Sequence, residues 1–546
     1  METPTGPAPG ATPGAAENRG RALIRHGSTL SLLTLVSRLL GLAREMTKAA
    51  LLGTSALSDA FSVAFMIPNL FRRLFAEGSV AVAFVPTFKE YLLQNETGQG
   101  SPDSIKEFLS CFLTFLSFFV TLTVMAGIVL CPLAIRFFGM EDFSETVFLT
   151  RLMFPFLAFI SIAAFFQGIL NSLRIFAPSG FAPILLNLIT ILCAYGLSPY
   201  TKNPARAMAV GILIGGFMEA AIQLPFVLRH KSRLRFFFTG IKRAIDNPGT
   251  RKVLRLVGPT VIGMAAYQLN DLVSTALAGN AGEGIVSSLQ YSLRLQELIL
   301  GVFAVSIGTV LLPDLAEYAK SGRWGLFNRR LSSGMNIIAF ITIPITFFSL
   351  SQGQSMIALL FQTRSFNEES ARLTLAAFTF HMPGLYFIAL NRILAPAFYA
   401  QSDAKSPTIA GIFSFVVNIT LAAVLAFRFK GSGIAFALSF ASAVNTAALL
   451  FFLRKNRDIT LGRTLKSALG YTAKLILFSA IALIPLLLLS PRITGLFSGR
   501  GRIISYGAPL MLNALIYAAT GLVLLAVTRD KQLLGMMKMI KKGSRE

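Results

Sequence analysis

Residues 36–91 read VSRLLGLAREMTKAALLGTSALSDAFSVAFMIPNLFRRLFAEGSVAVAFVPTFKEY, two long apolar helices that carry charge where charge is expensive. Arg38 and Arg44 lie within the first apolar run, and Arg72, Arg73 and Glu77 interrupt the second, flanked by Leu, Phe, Val and Ala. A charge at the centre of a hydrocarbon-spanning helix costs about 2.5 to 3.5 kcal/mol on insertion scales, so such residues usually face a wet cavity, a partner or a substrate. A single arginine near a helix end can snorkel to the headgroups, and Arg73 with Glu77 at i, i+4 can be a structural pair. Snorkelling does not easily serve both Arg38 and Arg44, because a six-residue separation puts them on different faces of one helix. The group predicts a positively charged, water-filled chamber inside a membrane protein, able to hold an anion such as phosphate. Asp59 opens the second helix as an N-cap or a gate residue.

Composition agrees with a membrane chain. Of 546 residues, 54% are hydrophobic, only 14% are charged and 48 are Phe, with a mean hydropathy of +0.65. Apolar runs of about 20 residues, about fourteen of them, recur from Gly27 to Val527, which is the signature of an all-α polytopic membrane protein. The runs are continuous rather than alternating, which excludes a β-barrel.

The net charge of +25 needs no nucleic acid, because the basic residues gather in alternate loops. Residues 229–255 hold nine Lys or Arg against one Asp and are expected on the cytoplasmic side, lying on anionic lipid. Residues 139–145 and 279–284 carry acids and no bases, so they are expected outside. An even number of spans then places both termini in the cytoplasm. Cys111, Cys131 and Cys193 sit in apolar runs without metal spacing and read as inert core residues. With no P-loop, nucleophile elbow or metal-spaced histidines, the chain reads as a transporter rather than an enzyme, without a cofactor.

The expected organisation is a disordered tail over 1–20, a six-helix lobe over 21–245, a second over 246–455, two added helices over 456–530 and a basic cytoplasmic tail over 531–546. The lobes read as a repeat. A shift of 227 residues lays Pro86, Glu90 and Tyr91 over Pro313, Glu317 and Tyr318, and a shift of 224 lays Pro183 over Pro407, each proline opening the fifth span of its half. Internal symmetry of this kind is typical of transporters whose halves rock about a central site.

In the second half, Arg294 and Glu297 sit at i, i+3 near the start of a span, close enough to pair. Placed across a cavity from Arg38, Arg44 and Arg72, Arg294 completes a ring of guanidinium groups, with Glu45, Glu77 and Glu297 as resting counterions that a diphosphate exchanges for. Arg392 is a further intramembrane cation beside a hinge at Pro396. Asp271 and Asn270, with Asn418, form either a monovalent-cation or proton site, or a satisfied hydrogen bond between helices.

These residues resemble the MurJ/MviN lipid II flippases of bacterial inner membranes, in the superfamily that also holds multidrug antiporters and polysaccharide flippases. The resemblance runs from about Arg21 to Arg529 and is carried by SRLLGLARE (37–45), SDAFSVAF (58–65), PNLFRRLFAEG (68–78), AFVP (83–86), the RLQE segment at Arg294, and LAPAFYAQSDAKSP (394–407). It implies fourteen helices, two six-helix lobes about a cationic cavity, and two added helices forming a groove for the polyprenyl tail. It also implies essential arginines at Arg38, Arg44, Arg72 and Arg294, functional acids at Asp59 and Glu297, and a sodium site only partly matched by Asp271 and Asn418. An intramembrane lysine of the family stands here as Arg392, and an aspartate as Glu45; Arg and Lys are not interchangeable at a coordinated site.

The implied activity is alternating-access export of lipid II, with its diphosphate held by the arginines and with membrane potential or a sodium gradient as driving force. A monomer is expected, with membrane lipids and cell-wall synthesis proteins as partners. The rivals are a flippase for another polyprenyl-linked glycan, a cation-coupled multidrug antiporter of the same superfamily, for which the inferred cavity has the wrong charge, and a static scaffold for cell-wall synthases.

Overall fold

A bilayer core offers the backbone no hydrogen-bond partners, so apolar runs of this length must close their N–H and C=O groups within helices. The structure, a computed structural model describing residues 13–74, 83–229, 236–456 and 458–535, is helical with no strand among those residues. In chain order the helices are α1 (Pro13–Leu52), α2 (Ala56–Phe71), α3 (Val85–Glu96), α4 (Pro102–Arg136), α5 (Phe143–Met153), α6 (Phe156–Ser172), α7 (Ala177–Gly196) and α8 (Pro204–Leu228). There follow α9 (Ile241–Asp246), α10 (Pro248–Asn280), α11 (Ile285–Lys320), α12 (Trp324–Phe361), α13 (Glu368–His381), α14 (Gly384–Tyr399), α15 (Lys405–Leu453), α16 (Leu461–Phe497) and α17 (Ala508–Val527). Helix α1 takes in residues 13–20 of the stretch read as a tail, and Pro183 lies inside α7 rather than at its start.

Among the described residues, eight segments are by length and hydropathy alone apolar enough to cross a membrane, and α13 with α14, bent by 46° at their junction, makes nine. The long helix α15 is two spans in one, broken at Lys430, whose backbone leaves helical geometry (φ 46°, ψ −129°). Helices α1, α2, α10 and α11 fall outside the hydropathy count; they carry Arg38, Arg44, Glu45, Asp59, Asp271, Arg294 and Glu297. With α5 and α6 as one broken span, the described helices accommodate the roughly fourteen spans that the apolar runs predict.

Contacts divide the chain into two units. The first comprises Met1–Glu45, Ile67–Cys131 and Phe148–Met264. Its interior holds a ring cluster in which Phe84 lies 5.0 to 5.6 Å from Phe88, Phe108, Phe112 and Phe165. Helices α7 and α8 meet on small residues. A Cβ on Gly211 would stand 2.9 Å from Thr190 Cα, and one on Gly215 3.0 Å from Leu186 Cα. Such close backbone approach substitutes for a hydrophobic driving force, which helices in lipid lack. Gly215→Leu should therefore destabilise this unit by about 1 to 3 kcal/mol through overpacking; a melting midpoint in detergent equal to the parent's would count against this packing.

The second unit comprises Met46–Met66, Pro132–Val147 and Ala265–Glu546. Here the added helices α16 and α17 cover α12, burying Ala339, Ile343, Leu475 and Leu525 in one cluster and Ala482, Leu486 and Tyr517 in another. Polar ties fix the register: Tyr517 donates to the Pro344 carbonyl at 3.1 Å, and the Asn513 amide donates to Gln352 and Ser490, both at 2.9 Å.

Beyond α17, buried Asp530 accepts from Lys474 Nζ at 2.7 Å, Tyr471 Oη at 3.0 Å and the backbone N–H of Gln532 at 2.9 Å. Burial alone would raise this carboxyl, but Lys474, the Leu533 N–H and Tyr471 outweigh it and hold Asp530 below its ordinary value of 3.8. A depressed carboxylate stabilises the fold above that ordinary value, and the contribution disappears as pH falls through the folded-state value. Asp530→Asn should thus cost about 1.5 to 3 kcal/mol at neutral pH, the range for hydrogen bonds to a charged group. Parent and variant melting curves should converge under acid below the carboxylate range, and a gap that persists there would assign the effect to packing.

Candidate functional site

In the first unit, the intramembrane arginines come from α1 and from the turn after α2. Arg38 is exposed on α1, whereas Arg44, two turns on, is half-buried and pairs with the adjacent Glu45 at 3.0 Å. This neighbour pair leaves both groups at 16% side-chain exposure, so the guanidinium is held within the helix bundle beside its own counterion. Past Phe71 the helix widens, and Arg72 Nε donates to Asn69 Oδ1 at 2.7 Å. Arg72 and Arg73 are both half-buried. Planar guanidinium forks on apolar helices suit an oxyanion of the diphosphate type. Glu77 lies outside the described residues.

In the second unit, Arg294 is one turn from Glu297 and meets it at 3.3 Å. Arg392 is exposed on α14. These two arginines stand on helices that are tied together at the bend between α13 and α14. His381, fully buried there, pairs through Nδ1 with Ser292 Oγ of α11 at 2.7 Å, and its carbonyl accepts from the Gln296 amide of the same helix. Ser439 of α15 donates to the Phe380 carbonyl at 2.6 Å. The carbonyls freed by the broken helix are thus taken up by neighbouring helices, as the membrane core demands.

Of the cation-site candidates, Asn418 is buried, and its amide donates to Asn270 Oδ1 at 2.8 Å and Ser274 Oγ at 3.1 Å. Its Oδ1 has no hydrogen-bond partner. Asp271 is half-buried on α10, and its backbone carbonyl accepts from Thr275. The hydrogen-bonded junction weighed in the sequence is therefore present around Asn418. Among the described residues no three His, Cys, Asp or Glu side chains gather in a metal-binding group.

Asp59 is buried at the start of α2, and its carboxylate serves a different helix from its own. Oδ2 accepts from the Gly284 N–H at 2.8 Å and Oδ1 from the Ser287 N–H at 2.7 Å, so Asp59 caps the N-terminus of α11 across space. An anion there satisfies orphan donors and opposes the positive end of the helix dipole. The corner between α1 and α2 is locked around it. Ala56 N–H donates to Glu283 Oε1 at 2.8 Å, Thr54 Oγ1 to Ser370 Oγ at 2.8 Å, and Tyr291 Oη to the Gly53 carbonyl at 2.9 Å. Gly53 and Gly284 both have positive φ, and a Cβ on either would collide, with the Ser365 carbonyl oxygen at 2.2 Å and the Thr54 carbonyl oxygen at 2.3 Å.

One intramembrane cation escaped the sequence reading. Lys48 of α1 is 3% exposed, donates to Ser62 Oγ and Gln290 Oε1, each at 3.0 Å, and stands 4.5 Å above the Tyr291 ring. The signal was in the quoted stretch, a lysine in the run TKAALL, four residues before the end of the helix. In the LAPAFYAQSDAKSP motif, Asp403 accepts from the N–H groups of Lys405 and Ser406 at 2.9 and 3.0 Å and so starts α15. Bonding to Ser406, by side chain and backbone, holds its carboxyl below the usual range.

The family model described as "Lipid II flippase MurJ" matches residues 48–499. A "Probable lipid II flippase MurJ" of Treponema pallidum (strain Nichols) is 46% identical over 511 residues, covering 93% of this chain and 97% of its own. A "Lipid II flippase MurJ" of Burkholderia cenocepacia is 32% identical over 399 residues, covering 72% of this chain and 77% of its own. Among solved structures, "Lipid II flippase MurJ, inward closed conformation" superposes with a TM-score of 0.75 at 24% identity, over 92% of this chain and 99% of that one. An inward-facing multidrug resistance transporter of the MATE family shares the fold, with a TM-score of 0.64 at 13% identity, over 78% of this chain and 96% of that one.

Proposed function

Since the chain belongs to the MurJ family of lipid II flippases, transporters rather than enzymes, we propose that it carries lipid II from the cytoplasmic to the outer leaflet of a bacterial inner membrane by alternating access. The observation that carries this reading is the set of half-buried arginines on apolar helices, Arg44, Arg72 and Arg73 in one unit and Arg294 in the other. Arg38 and Arg392 extend the set, and Glu45 and Glu297 are the counterions that the diphosphate displaces. Guanidinium bonds to a diphosphate are bidentate and charge-assisted, which makes them strong enough to take up the headgroup and reversible enough to release it. No bond of the substrate is broken.

Both termini lie in the cytoplasm, with the basic segment around Lys242 and Arg243 on the anionic leaflet. Membrane potential or a sodium gradient drives the cycle, and Asp271 with Asn418 is the place where a coupling cation would act. The protein works as a monomer alongside cell-wall synthesis proteins, and α16 and α17 carry the polyprenyl tail.

The test is lipid II movement in proteoliposomes that contain only this protein. Protection of labelled lipid II from an external modifying reagent should change with time in loaded vesicles and stay constant in empty ones. Equal time courses in the two preparations would overturn the substrate. Efflux of a cationic dye from the same vesicles would favour the antiporter reading instead.

A further inference from the structure

The corner between α1 and α2 buries a positive charge that neither the arginine set nor the Asp59 cap requires. Lys48 is inside a membrane-spanning helix, and the bonds to it described above come from Ser62 of α2, Gln290 of α11 and the face of Tyr291 of α11. Burying an ammonium is costly unless its donors are taken up. Here a hydroxyl, an amide oxygen and an aromatic face share it, and Asp59 lies near enough to feel its charge. The partners on α11 occupy the second turn of the helix whose first turn Asp59 caps. Two charged residues, of opposite sign and eleven positions apart, therefore hold consecutive turns of one helix.

We infer that Lys48 is a positioning residue of the transport cycle, acting through Gln290 to hold α11 in register against the α1–α2 corner while that side of the protein is sealed. The inference rests on the alternating-access reading above. When the seal parts, water replaces Gln290 around the ammonium, so the same charge that specifies the closed register does not oppose opening. The geometry also fixes the sign of each substitution. Gln290→Leu takes the amide acceptor from the ammonium, leaving it less fully bonded in the closed corner, where water cannot replace the loss, so it favours opening. Lys48→Met in that background removes the charge that has lost its amide acceptor and restores closure, because replacing both partners of a buried pair with apolar groups is nearly neutral.

The experiment reads the seal directly and needs no substrate. Spin labels at Leu57→Cys and Arg364→Cys, in a full-length chain with Cys111, Cys131 and Cys193 replaced by Ala, report the closed and parted distances by pulsed electron resonance in nanodiscs. Gln290→Leu should raise the ratio of parted to closed molecules about tenfold or more, the scale for truncating one partner of a buried charge contact. The double variant Lys48→Met/Gln290→Leu should return to within about threefold of the parent, the spread expected of a near-neutral apolar replacement. A double variant as open as Gln290→Leu, or a Gln290→Leu protein with the parent's distances, would overturn the inference. If Gln290→Leu does not accumulate, Gln290→Glu decides the matter: a carboxylate tightens the hold on the ammonium, so the parted fraction must fall and lipid II export must slow. Unchanged distances and export in Gln290→Glu would equally overturn it. Because distances are read without lipid II, a failure here stays separate from a failure of the flippase reading.

Discussion

Cells depleted of their own lipid II flippase and supplied with the Arg44→Ala protein will accumulate unexported lipid II, while the parent chain at matched abundance restores export. Arg294→Ala will behave the same way. Under the proposed binding mode each arginine gives the diphosphate charge-assisted bonds worth about 1.5 to 3 kcal/mol apiece, so loss of either should cut transport by about ten- to a hundredfold. Arg44→Lys should recover only part of this, since a point charge replaces a planar fork. Arg44 is the more informative of the two because its guanidinium is held at 16% exposure beside Glu45, where a surface role does not suffice. Export restored equally by parent and Arg44→Ala would leave a flippase whose headgroup recognition lies elsewhere.

Asp59→Ala is expected to cut transport by a different route, without touching the substrate. It removes the carboxylate that satisfies the Gly284 and Ser287 N–H groups at the head of α11. Two buried donors are then orphaned, at about 1 to 3 kcal/mol each, and only in the sealed state. The sealed population should fall about tenfold or more, readable with the label pair at positions 57 and 364, and export should fall with it. Asp59→Asn keeps the shape but can accept from only one of the two N–H groups, whichever way its amide is turned, so it should sit between parent and Asp59→Ala. A variant that lost export while keeping the parent's distances would move Asp59 from the seal to the transport path.

How far the sequence reaches is visible in particular residues. The span count could be read from apolar runs because lipid leaves the backbone no alternative to helix, and even the two spans joined in α15 were separable. Family membership was legible from the motif set, with PNLFRRLFAEG its most specific element. The placement of Asp59 at a helix start was legible too, but not which helix it caps: the partner groups are 225 and 228 residues away, and their N–H groups leave no mark in composition. Lys48 was overlooked for a related reason. Its partners Ser62 and Gln290 are neutral, and pairing rules that search for opposite charge pass over them. The bend at His381 was likewise hidden, because a histidine on an apolar helix looks the same whether it faces a serine or a leucine. Asn418 is a mixed case: its amide donates across helices to Asn270 and Ser274, as a plain hydrogen-bonded junction would, while its Oδ1 has no hydrogen-bond partner.

The paired glycines at the α1–α2 corner carry a consequence for how the sequence can drift. Gly53 and Gly284 each press on a carbonyl oxygen of a neighbouring segment, that of Ser365 and that of Thr54. A carbonyl is the same atom whatever residue bears it. The constraint therefore falls on one member of each contact and not on the other. In a saturation library selected for growth, positions 53 and 284 should appear as columns where nothing but glycine survives, whereas position 365 should accept many residues although it lies at the same junction. Tolerance and importance would then diverge within a few ångströms, and an inhibitor gripping the side chain at 365 would meet resistance variants that an inhibitor wedged against Gly53 would not.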